Sequence, residues 1–179
     1  YKRQDMGIAK AVFINRMDKE HADFNAAMSA IDAAFGHRVG AVQLPLGHEA
    51  DFRGVIDVIR MKAYLHKGDA EQIVEIPADM ADAAEAARDK LCELVAEADD
   101  GLMEKYLEGE RLTQEELETL LDKAIAQSIF IPVFVGSALN MQGVEDLMDD
   151  IVTFFPEPTA HGPLATADGG EIHISTDGD

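Results

Sequence analysis

The fold is decided by the stretch Ala11-Val12-Phe13-Ile14-Asn15-Arg16-Met17-Asp18. Residues 11–14 are all apolar and predict a buried strand, and residues 15–18 predict a loop at its carboxyl end. Open α/β sheets place ligand-contacting groups at this end of their strands. An Asn and an Asp three positions apart also occur in ordinary polar turns, because both residue types favour turns. Both interpretations stay open on this stretch alone.

The side chains of this loop have the chemistry that recognition of a guanine base requires. The Asp18 carboxylate can accept two parallel hydrogen bonds from the N–H and NH2 groups on one edge of the base. The Asn15 amide offers a donor to the acceptor side of the base and can also brace the loop. Arg16 can lay its stem and flat guanidinium along the face of the base.

A second loop follows a second apolar strand. Residues 129–135 predict a buried strand that leads into Gly136-Ser137-Ala138-Leu139. If the two strands are neighbours, Ser137 can hydrogen-bond to Asp18 and hold its carboxylate in plane. The backbone N–H of Ala138 can then donate to a carbonyl oxygen of the base, which favours guanine over adenine.

Between the two loops the hydrophobic pattern changes. Residues 23–35 predict a helix that ends at Gly36. Four short strands of an antiparallel sheet are then predicted at 42–46, 52–59, 61–66 and 72–76, with a turn at Gly68-Asp69. Three amphipathic helices follow, broken at Asp99-Asp100-Gly101 and restarted by a capping box at 113–116. The predicted fold class is α/β, a partial parallel sheet with an inserted subdomain of antiparallel sheet plus helices.

Composition restricts the class of protein. The hydrophobic content of 47% is enough for a packed core, and no apolar run reaches the roughly 20 residues of a membrane helix. The single cysteine, Cys92, cannot form a disulfide within the chain, and its helical spacing predicts a buried small apolar side chain. We therefore expect no membrane association and a cytoplasmic location.

The chain is strongly acidic, with a formal net charge of -20. We expect no nucleic-acid surface on it, because neutralising phosphates requires clusters of Lys and Arg. Residues 79–122 contain 15 Asp or Glu against four Lys or Arg. This run is either a solvated helical face or a docking surface for a partner.

The two loops and their surroundings resemble the translational GTPase elongation factor G. Residues 14–18, followed by Ala22-Asp23-Phe24, are similar to the guanine-specificity loop of that family, with Arg16 where the family usually has Lys. Residues 136–139, with Gly143-Val144 and the closing 155–158, are similar to its last base-contacting motif and final helix. The segments 52–57, 61–64 and 105–110 resemble its G-prime insertion.

The resemblance covers residues 1–158 and implies a domain plan. Residues 1–42 correspond to the C-terminal part of a G domain, 43–128 to the inserted G-prime-like subdomain and 129–158 to the last strand and helix of the G domain. Residues 159–179 correspond to a linker toward a second domain. The segments 20–23 and 98–102 are closer to elongation-factor-G-like paralogues than to the main factor.

The resemblance also implies a function, namely GTP-dependent translocation on the ribosome during protein synthesis. It implies GTP or GDP as the ligand, and the ribosome and the ribosomal stalk protein as partners of the parent protein. It implies that the sheet is of the P-loop GTPase type. The base-contacting residues that it implies are Asn15, Arg16, Asp18, Ser137, Ala138 and Leu139.

Motifs for phosphate chemistry are missing from the sequence. There is no Gly-x-x-x-x-Gly-Lys-Ser/Thr phosphate loop and no switch motif. We therefore expect a fragment of a GTP hydrolase that supplies base recognition and partner docking, but no catalytic residue, no Mg2+ ligand and no hydrolysis. The alternatives are an acidic protein-interaction module without nucleotide function and a GTPase of the ribosomal-protection type.

The six histidines show no metal-ligand spacing, so a metal site is not predicted, and each histidine is expected in a surface or turn role. His21, next to the base loop, could approach a ligand. Phe52 and Tyr64 are expected in the core of the inserted sheet.

We expect the isolated chain, residues 1–179, neither to hydrolyse GTP nor to bind it tightly, because it has no motif for holding phosphates. Release of inorganic phosphate from GTP by the purified chain measures this directly. Sustained turnover would contradict the prediction.

Overall fold

The computed structural model describes residues 8–67, 70–157, 164–166 and 168–172. In chain order the elements are β1 (Val12–Ile14), α1 (Phe24–Phe35), β2 (Val39–Ala41), β3 (Gln43–Leu46), β4 (Gly54–Asp57), β5 (Lys62–Lys67), β6 (Ala70–Val74), α2 (Ala81–Val95), α3 (Asp100–Leu107), α4 (Gln114–Ala126), β7 (Ile131–Val135), α5 (Val144–Phe154), β8 (Leu164–Ala165) and β9 (Glu171–Ile172). The predicted fold class is confirmed, with a parallel sheet and a separate antiparallel sheet plus helices.

The parallel sheet has the strand order β1-β7-β2. The predicted neighbours β1 and β7 pair directly, with Ile14 opposite Val135. On the other side of β7, β2 pairs with Val39 opposite Ile131. β2 was not predicted from the sequence, because it has three residues with a glycine in the middle and lacks a recognisable period.

The antiparallel sheet has the order β3-β4-β5-β6 and confirms the four predicted strands. One residue, Val42, separates β2 from β3, and it is buried between the two sheets. The predicted strand 52–59 is shorter than expected, since the Asp57 carboxylate accepts hydrogen bonds from the N–H groups of Ile59 and Arg60 and turns the chain. The turn predicted at residues 68 and 69 lies outside the described residues.

Helix ends follow their capping residues. The Asp23 carboxylate accepts from the N–H of Ala26 at the start of α1, and Gly36 ends that helix with a φ of 74°. The predicted capping box at Thr113 is present at the start of α4. The break predicted at residues 99–101 is confirmed at Asp99 and wrong for the next two residues. The Asp99 carboxylate accepts hydrogen bonds from the N–H groups of positions 101 and 102, so α3 already begins at Asp100.

The last helix does not bury all of its apolar residues. Met148, Ile151 and Val152 of α5 are exposed, whereas Asp146 and Asp150 are buried. An apolar face left in solvent is typical of a surface that packs against something else.

The ends of the chain are described only in part. Residues 8–10 have no regular structure. In the predicted linker, 159–179, the described residues contain the short antiparallel pair β8–β9. None of the helices in the described ranges is both long enough and apolar enough to span a bilayer.

A continuous core joins the two sheets to helices α2 and α4. Phe134 contributes to it from β7 and Val42 from the link between β2 and β3, while Leu91 and Leu121 contribute from the helices. Cys92 lies in the same core, so its predicted burial is confirmed. Phe52 is also buried, as expected. The surface or turn role expected of His66 is wrong, because it lies in β5 with its side chain 7% exposed.

A buried ion network ties the antiparallel sheet to α5. The Arg60 guanidinium Nη1 lies 2.7 Å from Asp57 Oδ2 and 2.8 Å from Asp150 Oδ1, and both aspartates are 2% exposed. Burial raises the pKa of Asp150 to about 6, although the hydrogen bond from Arg60 opposes that rise. At neutral pH both carboxylates therefore depend on one guanidinium for their countercharge.

We expect Arg60→Met to lower the free energy of unfolding at pH 7 by about 3 kcal/mol, because two buried carboxylates lose the guanidinium between them. Urea unfolding followed by circular dichroism measures this. The control is Lys62→Met, since Lys62 and Glu75 form an exposed pair worth about 1 kcal/mol or less. Equal losses in the two variants would contradict the structural role of the network.

Candidate functional site

The two predicted base loops lie side by side at the carboxyl ends of β1 and β7. The Gly136 N–H donates to the carbonyl of Ile14 at 2.9 Å, and the Met17 N–H donates to the carbonyl of Gly136 at 3.1 Å. These bonds extend the pairing of the two strands into the loops. The expectation that loops 15–18 and 136–139 meet is therefore confirmed.

Asn15 connects the two loops through its side chain. Its Oδ1 accepts one hydrogen bond from the backbone N–H of Arg16 at 2.7 Å and another from that of Ala138 at 2.9 Å. The predicted bracing role is confirmed. The Ala138 N–H, predicted to donate to a base, is thus engaged with Asn15, and a carbonyl oxygen of a base would compete with Asn15 for it.

Asp18 presents one oxygen that has no partner among the described residues. Its side chain is 11% exposed, and Oδ2 lies 2.8 Å from Lys19 Nζ. Its Oδ1 is buried and accepts no hydrogen bond from the part of the chain that the structure describes. Lys19 first, and Ser137 second, hold the pKa of Asp18 below its usual value, so the carboxylate is ionised at neutral pH.

Ser137 lies fully buried beside this carboxylate. Its hydroxyl is close enough to lower the pKa of Asp18, but neither Ser137 Oγ nor Asp18 Oδ1 completes a hydrogen bond within the described ranges. The two side chains are therefore close together, but the predicted hydrogen bond between them is not formed. Buried polar atoms rarely lack partners, and Asp18 Oδ1 and Ser137 Oγ both lack one within the described residues.

Met17 anchors the first loop in the core, a role that was not predicted from the sequence. Its side chain is 2% exposed and packs in a cluster with Phe52, Val55 and Val135. The loop thus rests on both the antiparallel sheet and β7. The one signal for this burial in the sequence is that Met17 is apolar within an otherwise polar loop. The interpretation of residues 15–18 as a ligand-binding loop gave Met17 no role.

Arg16 and Leu139 lie at the solvent side of the site. Arg16 has a positive φ of 65° and its carbonyl accepts from the Lys19 N–H, so the loop reverses at this residue. Leu139 is 77% exposed. Their predicted contacts with the face of a base stay predictions.

The second loop is shaped by close backbone approaches. Ser137 and Gln142 exchange two backbone hydrogen bonds of 3.0 and 3.1 Å, which close the loop. A Cβ at Gly136 would lie 2.3 Å from the carbonyl oxygen of Gln142. The Gln142 side chain also donates to the carbonyl of Phe52 at 3.2 Å, which links this loop to the segment before β4.

The site is an open surface. A cavity of about 710 Å³ adjoins the first loop and is lined by residues that include Met17, His21, Phe24 and His48. Asn15, Asp18 and Ala138 do not line that cavity. The cavity therefore lies beside the predicted base contacts, which themselves lie on the surface next to it.

Comparisons with known proteins support the fold. No protein-family model matches the chain. It is similar to the crystal structure of a protein from Thermus thermophilus, with 31% sequence identity and a TM-score of 0.79. The match covers 90% of this chain and 24% of that one, so this chain spans about a quarter of the length of the Thermus protein. The name of that protein states no activity.

We expect Asn15→Ala to accelerate hydrogen exchange at the Ala138 amide and to cost about 1 kcal/mol of stability, because the Ala138 N–H loses its acceptor. Amide exchange followed by NMR measures both effects. In the control Asn140→Ala, an exposed loop residue changes and the Ala138 amide should exchange as in the wild type. Identical exchange rates in the two variants would show that Asn15 does not couple the loops.

Proposed function

We propose that this chain is the guanine-recognising part of a larger translational GTPase similar to elongation factor G or to an elongation-factor-G-like paralogue. In this proposal the parent protein hydrolyses GTP with Mg2+ and promotes translocation on the ribosome. The chain itself supplies base recognition and a subdomain for a partner such as the ribosomal stalk protein.

One observation carries the proposal, the juxtaposition of the two loops. Asn15 Oδ1 receives the Ala138 N–H at 2.9 Å, and the buried free oxygen of Asp18 lies beside Ser137. An ionised carboxylate suits the two N–H groups on one edge of guanine and repels the ring nitrogen N1 on the corresponding edge of adenine, which is an acceptor. A site of this kind discriminates strongly, because the wrong base leaves buried polar groups unpaired.

The shape of the sheet supports a larger parent protein. β1 is an edge strand of the parallel sheet in the described residues, and its side chains are only half-buried. Parallel strands are usually covered on both faces and are rarely left open at an apolar edge. The exposed apolar residues of α5, among them Ile151 and Val152, add to the surface that further structure could cover.

The residues of the site would act by binding and orienting the base. The Asp18 carboxylate would accept from its N–H groups, with Ser137 and Lys19 keeping that carboxylate ionised. Asn15 would hold the two loops at a fixed separation, and Met17 would fix the position of the first loop relative to the core. Arg16 would cover one face of the base.

A protein-interaction module without nucleotide function is the second candidate. The acidic helices α2 and α4 favour it, because many of their carboxylates point into solvent. This candidate gives the free oxygen of Asp18 no role, so nucleotide binding separates the two proposals.

We expect the full-length parent protein to bind GDP at least about 100-fold more tightly than ADP. In Asp18→Asn, GDP affinity should fall and affinity for xanthosine diphosphate should rise, because an amide offers one donor and one acceptor that match the C2 carbonyl and N1–H of xanthine. Competition binding with a fluorescent nucleotide measures all three affinities.

The matched control is Asp23→Asn, which makes the same change at the cap of α1 and lies outside the proposed base contacts. Asn is also a good helix cap, so this variant should keep the GDP preference. An unchanged preference in Asp18→Asn would favour the interaction module.

A further inference from the structure

A histidine and two glutamates converge where the β5–β6 hairpin meets the start of α5. His66 and Glu71 are directly opposite each other in the two strands, so their side chains share one face of the sheet. Glu145, in the first turn of α5, approaches the same point. One ligand atom from each of the three residues lies within 4.8 Å of the other two.

Glu71 lacks, among the described residues, the hydrogen-bond partner that a buried polar atom normally has, and His66 beside it is too far away to supply one. The His66 side chain is 7% exposed, and its Nδ1 lies 3.8 Å from Glu71 Oε1, too far for a hydrogen bond. Glu71 Oε1 is itself buried and accepts no hydrogen bond from any residue that the structure describes. A donor and an acceptor this close that do not bond to each other leave room for an atom between them.

The surroundings are rich in carboxyl groups. Asp146, next to Glu145, is 8% exposed, and its Oδ2 is buried without a hydrogen-bond partner among the described residues. No described Lys or Arg side chain forms an ion pair with Glu71, Glu145 or Asp146. Buried carboxylates without a countercharge are costly, and a bound cation removes that cost.

We propose that His66, Glu71 and Glu145 bind one divalent transition-metal ion, with Zn2+ as the best match to their donor atoms. Imidazole nitrogen and carboxylate oxygen both suit Zn2+, whereas Mg2+ prefers oxygen ligands and retains water. Around Zn2+ the ligand atoms lie about 3.3–3.5 Å apart, given metal–ligand distances of about 2.0–2.2 Å. His66 Nδ1 and Glu71 Oε1 are already near that separation, and the exposed Glu145 side chain can rotate toward them.

Such a site would join the antiparallel sheet to the last helix of the parallel-sheet part. Three protein ligands leave a fourth position for water or for a ligand from a partner. Spacing along the sequence did not reveal this site, because strand pairing and the folding of a distant helix bring its ligands together. The proposal is independent of guanine recognition.

The test is Zn2+ titration of the full 179-residue chain by calorimetry, in the presence of about 5 mM Mg2+, which competes for weak acidic sites. We expect one Zn2+ per chain at micromolar affinity. At about 100 times the dissociation constant, Zn2+ should raise the melting temperature by about 5 °C or more. Co2+ should give a d–d absorption band that Zn2+ abolishes.

Glu145→Gln and His66→Gln should each weaken Zn2+ binding at least about tenfold. Glu145 is exposed, so its substitution leaves the fold intact even if that of His66 does not. The matched controls are Glu104→Gln and His37→Gln, which change one exposed glutamate and one exposed histidine outside the cluster. Absence of stoichiometric binding, or equal binding in Glu145→Gln and Glu104→Gln, would overturn the proposal.

Discussion

The parallel pairing of β1 with β7 is the constraint on which the rest of the structure depends. It places Ile14 opposite Val135 and continues into the loops through the bonds between Gly136 and Ile14 and between Met17 and Gly136. Because the two strands are far apart in sequence, the structure between them must leave and return at nearly the same place. The same pairing brings together the polar groups of the two loops, which would otherwise be ordinary turns.

The antiparallel sheet is attached to this arrangement at several points. The Gln43 side chain accepts from the backbone N–H of Val135 at 3.1 Å, inside the core. Phe52 packs against Met17 and its carbonyl accepts from Gln142, so one residue touches the supports of both loops. A change in the position of this sheet would therefore move the residues that support the two loops. This is a physical route by which a docked partner could affect a ligand at the candidate base site.

Much of the fold was predictable because local signals and tertiary structure agree. The apolar runs at 11–14 and 129–135 form neighbouring strands, and the capping groups of Asp23 and Thr113 start the helices as predicted. The meeting of the two polar loops was predictable because each loop follows a buried strand, and neighbouring parallel strands bring their carboxyl ends to one edge of the sheet. The contact of Asn15 with Ala138 required only that the strands be neighbours.

The features that were missed depend on packing across the chain. β2 is a strand only because β7 offers it a partner, and Met17 is buried because the antiparallel sheet brings Phe52 beneath it. Neither partner is visible in a short window of sequence.

If the two loops form one surface for a guanine base, NMR titration of the isotope-labelled chain with guanosine should show it. The backbone amide of Ala138 and the amide signals of Asn15 should shift together and saturably with guanosine, while adenosine at the same concentration should leave them in place. Equal shifts with both nucleosides, or shifts confined to residues away from the two loops, would contradict guanine recognition at this surface.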